Sequence, residues 1–408
     1  VMKRLFNIIL IFLLLFALFS CEKEELEGPG PIFDCVTCYD QNTNYKVEHW
    51  KIDFPMIHND YYESKTENGP NWGAPTDFLI VDYDNDGYLD AVTGDSDYTS
   101  SFAGVANRRY FKFFKGSPNG DLTLDTRSQY QNIVGPIHGA TSFLGDYNND
   151  GRPDMVFIDS GVDDQTGTGA APGSYPIILM SNEQGYYDRV AYENAYGAFH
   201  DGASADIDND GDLDIVLPRW VTMINQGDGT FSIQPFPIET IDDPTTLVIA
   251  DLDNDGMLEW IYGSGTMYQP PGAYRHRSWI GNPVEGIKDI IPHVDNFGIF
   301  LDVKFWDIDN DGVLEMVVNR ASDQNHPQGH WIAWHMQVLD YTDDGVIDIT
   351  NSTIEQNTYY PTTPGLGFGW ISSINIREDK YGNVFLFSDD GNTYVKWKLE
   401  NGFFKRVL

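Results

Sequence analysis

Five nine-residue segments share one pattern of acids. The first runs Asp82, Tyr83, Asp84, Asn85, Asp86, Gly87, Tyr88, Leu89, Asp90. It returns with Asp146, Asn148, Asp150, Arg152 and Asp154 at its odd positions, then with Asp206, Asp208, Asp210, Asp212 and Asp214. The fourth copy places Asp251, Asp253, Asp255, Met257 and Glu259 there, and the fifth Asp307, Asp309, Asp311, Val313 and Glu315. A cation of calcium's size takes six to eight hard oxygens, and alternate side chains of a tight loop can all turn toward one centre. Positions 1, 3, 5 and 9 supply carboxylates or an amide, and position 7 offers its backbone carbonyl. Gly at position 6 permits the sharp bend. The pattern predicts about five calcium sites.

An EF-hand fails as an explanation. Its loop needs a bidentate Glu at position 12, where this chain has Thr93, Phe157, Leu217, Tyr262 and Val318. The flanks are also wrong for helices. Short apolar runs at 78–81 and 247–250 precede loops, and others at 89–92, 213–217 and 314–318 follow them. Runs of that length bounded by turn residues fit strands buried on both faces, so each loop sits in a β-hairpin. A second hairpin follows: residues 221–232 read as strand, Asp228-Gly229 turn, strand, with weaker counterparts at 110–124 and 177–187. First acids are 64, 60, 45 and 56 residues apart, the spacing of a repeated supersecondary unit. Four-stranded antiparallel units repeated about an axis are the blades of a β-propeller. The expected fold is therefore all-β, with six blades, and seven also fitting if residues 45–53 contribute a strand.

The acid hairpin followed by Gly227-Asp228-Gly229-Thr230-Phe231 resembles the FG-GAP/VCBS repeats of integrin α-subunit-type propellers, over roughly residues 77–408. That resemblance implies calcium ligands at positions 1, 3, 5 and 9 of each copy. Copy two departs from it with Asn148, and copies four and five end in the longer Glu259 and Glu315. A sixth unit, 374–407, keeps Gly382 but has Arg377, Tyr381 and Phe385 where ligands belong, so Arg377 is expected to replace the ion with a fixed charge. The stretch Asp340 to Asp348 matches the metal spacing but falls where an outer hairpin should turn, which favours a structural turn.

Composition narrows the function. With 62 Asp+Glu against 25 Lys+Arg, the formal charge of −37 excludes nucleic acid as a partner. Hydrophobic residues at 41% and aromatics at 14% sustain a large core rather than disorder. Lys3 and Arg4 precede an apolar run, 5–19, too short to span a bilayer, which reads as a secretory signal. Leu18-Phe19-Ser20-Cys21 resembles a lipobox, implying lipidation of Cys21; the following Glu22-Lys23-Glu24-Glu25 is similar to a lipoprotein surface-export signal. The expected organisation is a signal peptide at 1–20, an acidic tether at 21–44 and a propeller at 45–408, lipid-anchored on a bacterial outer membrane and exposed at the surface. Cys35 and Cys38 read as a small disulfide in an oxidising compartment.

In a four-stranded meander the acid loops share one face, and the connections from second to third strand and from blade to blade share the other. Long segments at 95–107, 160–174, 265–277 and 319–329 fall on that opposite face, where recognition is expected. There lie His138, His200, Tyr268, Arg275, His276, Arg277, His326, His330 and Trp331, with Arg108, Arg109, Tyr98 and Trp279 nearby. Flat rings stack on sugars and Arg grips carboxylates bidentately. These features predict a binding or adhesion module whose partner is a glycan or a cell-surface protein. The alternatives are a polysaccharide lyase using His200, Tyr268 and Arg275, or a docking subunit of an outer-membrane complex. No short motif fixes a catalytic geometry among the scattered histidines, which favours binding over catalysis.

Overall fold

Acid-rich loops and Gly-centred turns interrupt the apolar runs every few residues, and the chain answers with short antiparallel strands. The computed structural model describes residues 35–39, 46–50 and 78–407 apart from 97–107, 119–121, 163–172, 239–243, 253–256, 266–277, 324, 328, 343–344, 360–368, 372–373, 379–380 and 389–394. The first two strands, β1 (Cys35–Tyr39) and β2 (Lys46–Trp50), pair only with each other. Residues 46–50 thus form the expected strand, in a two-stranded sheet of their own. Cys35 and Cys38 lie on β1, with their side chains outside the described residues.

Six further sheets follow in chain order. The first contains β3 (Phe78–Val81), β4 (Asp90–Ser96), β5 (Arg108–Lys115) and β6 (Thr123–Leu124). The second holds β7 (Gly139–Gly145), β8 (Asp154–Asp159), β9 (Ile177–Ser181) and β10 (Tyr187–Ala191). The third is built from β11 (Ala203–Ala205), β12 (Asp214–Leu217), β13 (Val221–Asn225) and β14 (Phe231–Pro235). In the fourth are β15 (Pro244–Ala250), β16 (Glu259–Ser264), β17 (Trp279–Asn282) and β18 (Gly286–Ile290). The fifth has β19 (Ile299–Trp306), β20 (Glu315–Ala321), β21 (Trp334–Thr342) and β22 (Gly345–Asp348), and β23 (Thr358–Tyr359) adds to β21. The sixth comprises β24 (Ile374–Glu378), β25 (Val384–Ser388), β26 (Lys396–Leu399) and β27 (Phe404–Val407). Every sheet is an antiparallel meander in sequence order, as expected of propeller blades.

Side-chain alternation shows how the sheets stack. All six residues of β8 are buried. Met155 and Phe157 enter a core shared with Leu79, Val92 and Phe113 of the first sheet. Val156 and Ile158 point the other way, into a core shared with Ile215, Leu217 and Met223 of the third. The same division recurs in β16, where Trp260 and Tyr262 join Val216 of the third sheet while Ile261 joins Met316 of the fifth. In β20, Val318 packs with the fourth sheet and Val317 with Ile374, Leu386 and Trp397 of the sixth. Five cores thus fill the five interfaces between consecutive sheets. The first strands β3, β7, β11, β15, β19 and β24 also contact one another in that order. The fold is a β-propeller of six four-stranded blades.

Two expectations about loops change. Asp95 and Ser96 end β4, and Asn319 to Ala321 end the buried strand β20, so the loops on that face are shorter than their polar composition suggests. Trp279 is 3% exposed and stacks on Tyr262 at 4.9 Å, inside the blade-to-blade core rather than on a recognition face. Phe157 is fully buried, with its ring 4.6 Å from Phe111 of the first sheet. Phe157→Ala should therefore cost about 3–5 kcal/mol of stability, read from chemical denaturation.

Candidate metal centres

Each acid loop joins the first strand of a blade to its second, and its ninth residue opens that second strand: Asp90, Asp154, Asp214, Glu259 and Glu315. These five carboxylates are buried, at 0 to 4% exposure. Each accepts a hydrogen bond from the backbone N–H of the loop's second residue: Tyr83 (3.0 Å), Tyr147 (2.8 Å), Ile207 (3.0 Å), Leu252 (2.9 Å) and Ile308 (2.6 Å). In the first three blades the other oxygen takes the N–H of a residue at the end of the third strand or just past it, Gly116, Ser181 or Asn225. Burial raises the carboxyls of Asp90, Asp214 and Glu315 to about 7 and that of Asp154 to about 6, against the pull of these donors.

The rest of each loop is a repeated turn. Oxygens of the first acid accept the N–H groups of positions 5 and 6, as Asp206 does from Asp210 (3.1 Å) and Gly211 (3.0 Å). The acid at position 5 accepts the N–H of position 7, as Asp311 does from Val313 (2.8 Å). Asn at position 4 is left-handed in all four loops described there: Asn85, Asn149, Asn209 and Asn310, at φ of 55 to 64°. Gly87, Gly151, Gly211 and Gly312 follow at φ of 79 to 98°, where an added Cβ would meet nothing within 4 Å. Conformation, not space, requires glycine there. Asn85 and its counterparts were missed by the reading of alternate acids, although their recurrence was visible.

This turn gathers acids. Among the described residues, ligand atoms of Asp82, Asp84 and Asp86, of Asp206, Asp208 and Asp210, and of Asp307, Asp309 and Asp311 lie within 4.8 Å of one another. All the donors are hard oxygens, and the chemistry of such a donor set fits a divalent cation. Loop 2 differs. Asn148 turns its amide toward the Ser181 carbonyl at 2.9 Å, and the Ser181 hydroxyl reaches Asp150 at 2.8 Å. Loop 4 is described only in part, with Asp253 and Asp255 outside the described residues. At position 7, Tyr88 and Met257 are exposed, while Arg152 reaches out of its loop to the carbonyls of Asn182 (2.9 Å) and Tyr83 (3.3 Å). Asp212 accepts a hydrogen bond from Asn149 of loop 2 at 2.7 Å, lacing consecutive loops together.

The stretch from Asp340 to Asp348 is part of the β21–β22 hairpin, with Asp340 opposite Ile347 and Asp348 opposite Leu339. Asp348 accepts hydrogen bonds from Gln337 (2.9 Å) and Thr350. Asp340 stands near loop 5, its carboxyl raised by burial and then by Asp311 and Asp309. In the sixth sheet, Gly382 keeps a positive φ of 80°, while the side chain of Arg377 lies outside the described residues.

The opposite face presents a different chemistry. Arg108 opens β5, pairs with Asp159 at 2.9 Å, reaches Ser174 at 2.8 Å and lies over the Tyr175 ring at 5.2 Å. Asp159 also accepts the backbone N–H groups of Ile137 and His138, each at 3.0 Å. His200 and His330 are exposed, and His326 is buried with its ring 5.6 Å from Phe297. Trp331 meets Trp370 edge-on at 4.9 Å, and Arg219 lies 5.5 Å from the ring of Trp220, which is 38% exposed. Tyr268, Arg275, His276, Arg277, Tyr98 and Cys21 lie outside the described residues. Trp220, Arg219 and Trp370 were missed, since no spacing distinguishes them in the sequence.

Residues 206–262 match the family model of the FG-GAP-like repeat. No curated protein matches the chain. Among solved structures, the exotype rhamnogalacturonan lyase YesX is 12% identical with a TM-score of 0.39, covering 84% of this chain and 66% of its own. The rhamnogalacturonan lyase YesW is 13% identical at a TM-score of 0.38, and this chain spans 61% of its length. The Vibrio cholerae biofilm matrix protein Bap1 is 15% identical at 0.36, covering 79% of this chain and 59% of its own.

His335, on β21, bonds Thr358 through Nδ1 at 2.6 Å. Burial, and then the charge of Arg320, lower its pKa to about 4, with Asp348 opposing. A histidine held neutral in the fold binds fewer protons than in the unfolded chain, so its contribution is complete above about pH 6.5 and fades as the pH falls toward 4. His335→Gln should remove on the order of 2–3 kcal/mol of acid sensitivity between those limits, measured as the difference between wild-type and variant denaturation curves.

Proposed function

We propose that this chain is a calcium-stabilised, surface-anchored β-propeller that acts as a binding or adhesion module, with a glycan as its ligand class. Calcium is the cation because the loops offer only oxygen donors in a bend of alternating acids. The anchor is the lipid on Cys21, and the compartment is the outer-membrane surface.

One observation carries the placement of the binding surface. Among the described residues, ten other than glycine have positive φ, and seven of them are asparagine, which tolerates it. Arg219 (φ 72°) and Trp331 (φ 58°) are the cationic and the aromatic exceptions. Both occupy connections from a second to a third strand, hence the face opposite the acid loops, and each lies against a tryptophan. Backbone strain of this kind persists where surrounding structure holds a side chain for use. Tryptophan faces beside arginine suit a sugar, an acidic sugar above all.

Each loop with a dissociation constant of about 0.1–1 mM gains roughly 0.4–1.4 kcal/mol at about 1 mM free calcium. A chelator should therefore lower the melting temperature by several degrees, and restored calcium should recover it; an unchanged melting curve would refute the calcium reading. Recognition is tested by a glycan array paired with an ultraviolet assay for unsaturated uronate. Binding of an acidic glycan without product, weakened at least tenfold by Trp331→Ala, is the expected result. Product formation would instead establish a lyase, and an empty array would sink the glycan reading.

A further inference from the structure

Loop 1 is chemically unlike its repeats. Lys115, the last residue of β5, places Nζ 2.5 Å from Asp84 Oδ2 and 2.6 Å from Asp86 Oδ2, the acids at positions 3 and 5 of that loop. Arg127 adds a second cation, its Nη2 2.7 Å from the same Asp84 oxygen. Arg127 is itself fixed: it pairs with Asp125, which also accepts the Tyr83 hydroxyl at 2.8 Å, and it lies over the Tyr130 ring at 4.9 Å. The Asp84 side chain is only 7% exposed, so this is a seated pair rather than a surface encounter.

Strand register shows that the seat belongs to every blade. Phe114 pairs with Ala91, so Lys115 stands one step on, level with Asp90 at the loop's ninth position. By the same register the second blade has Met180 there, the third Ile224, the fourth Asn282 and the fifth Asp340. One strand position thus presents an ammonium to loop 1, carries apolar side chains in the second and third blades and an amide, bonded to Val284 and Glu285, in the fourth, and adds a carboxylate near Asp309 and Asp311 of loop 5. A divalent ion held by Asp84 and Asp86 would share their oxygens with the Lys115 ammonium, and like charges brought that close repel strongly.

We propose that Lys115, supported by Arg127, is a built-in cation for loop 1, which keeps its shape without a divalent ion while the other acid loops depend on one. The inference rests on the reading of those loops as calcium sites and adds that they are graded by a single position on the third strand. It predicts that loop 1 is the calcium-independent member of the set and loop 5 the most dependent.

The test uses the full chain as wild type, as Lys115→Met, which installs the residue that the second blade already carries, and as Ile224→Lys, which moves the ammonium to loop 3. Each is dialysed against calcium, its bound calcium per chain is measured by atomic emission, and its melting is followed with and without chelator. Lys115→Met should hold one calcium more than wild type, or bind calcium at loop 1 at least about tenfold more tightly, and should lose more of its melting temperature to chelator. Ile224→Lys should hold one calcium fewer and respond less to chelator. Equal calcium content and equal chelator response in wild type and Lys115→Met would overturn the proposal. Should Lys115→Met fail to fold, an unchanged calcium content in Ile224→Lys overturns it alone. A wild-type chain that takes up no calcium would sink the calcium reading, and this inference with it, whereas uptake identical in all three chains sinks only this inference.

Discussion

A carboxylate buried where a hairpin closes sets the geometry of each metal-type blade. At the head of the second strand it is too deep for water to solvate, and it is retained because backbone N–H groups aim at it from the loop and, in the first three blades, from the end of the third strand. Replacing it by an apolar residue would leave those donors unpaired, which costs about 1–3 kcal/mol per buried group. With the ninth residue fixed, the preceding eight have one short path, and a left-handed asparagine followed by glycine lets them take it. The other acids converge as a consequence of that path.

Much of this was legible in the sequence, for a physical reason. A turn needing particular backbone conformations and a buried acid admits few residues, so five copies announced themselves and their flanks had to be strands. The short apolar runs, such as that at 213–217, foretold strands buried on both faces. The illegible part is what meets across space. Lys115 and Arg127 carry no signature, because only register brings them to Asp84. Trp279 looked like a surface aromatic because it follows a polar stretch, yet it stacks on Tyr262 in a core. Asn319 looked like the start of a loop, but its side chain is buried and donates to the Ile371 carbonyl at 2.7 Å, so the strand runs on through it.

The two ends of the blades divide the work. At the loop end, backbone N–H groups are taken up by the acids, and neighbouring loops are stitched by Arg152 and Asn149. At the other end, hydroxyls and acids bridge blade to blade: Ser160 donates to the Phe199 carbonyl, and Asp302 accepts the Ile374 N–H at 2.9 Å. Arg219, Trp220, Trp331 and Trp370 stand on connections at that same end. A rigid base with a few constrained aromatics at its opposite rim suits a module that meets its partner without rearranging.

The sharing of one core between each pair of adjacent sheets also bears on how the molecule responds to pulling. A blade's two buried faces belong to different neighbours, so no sheet is stable by itself and none can be extracted without baring the next. Stability in such an array is approximately a sum of what each sheet holds by itself and what it shares with its neighbours, so a pull that loosens one sheet weakens the next.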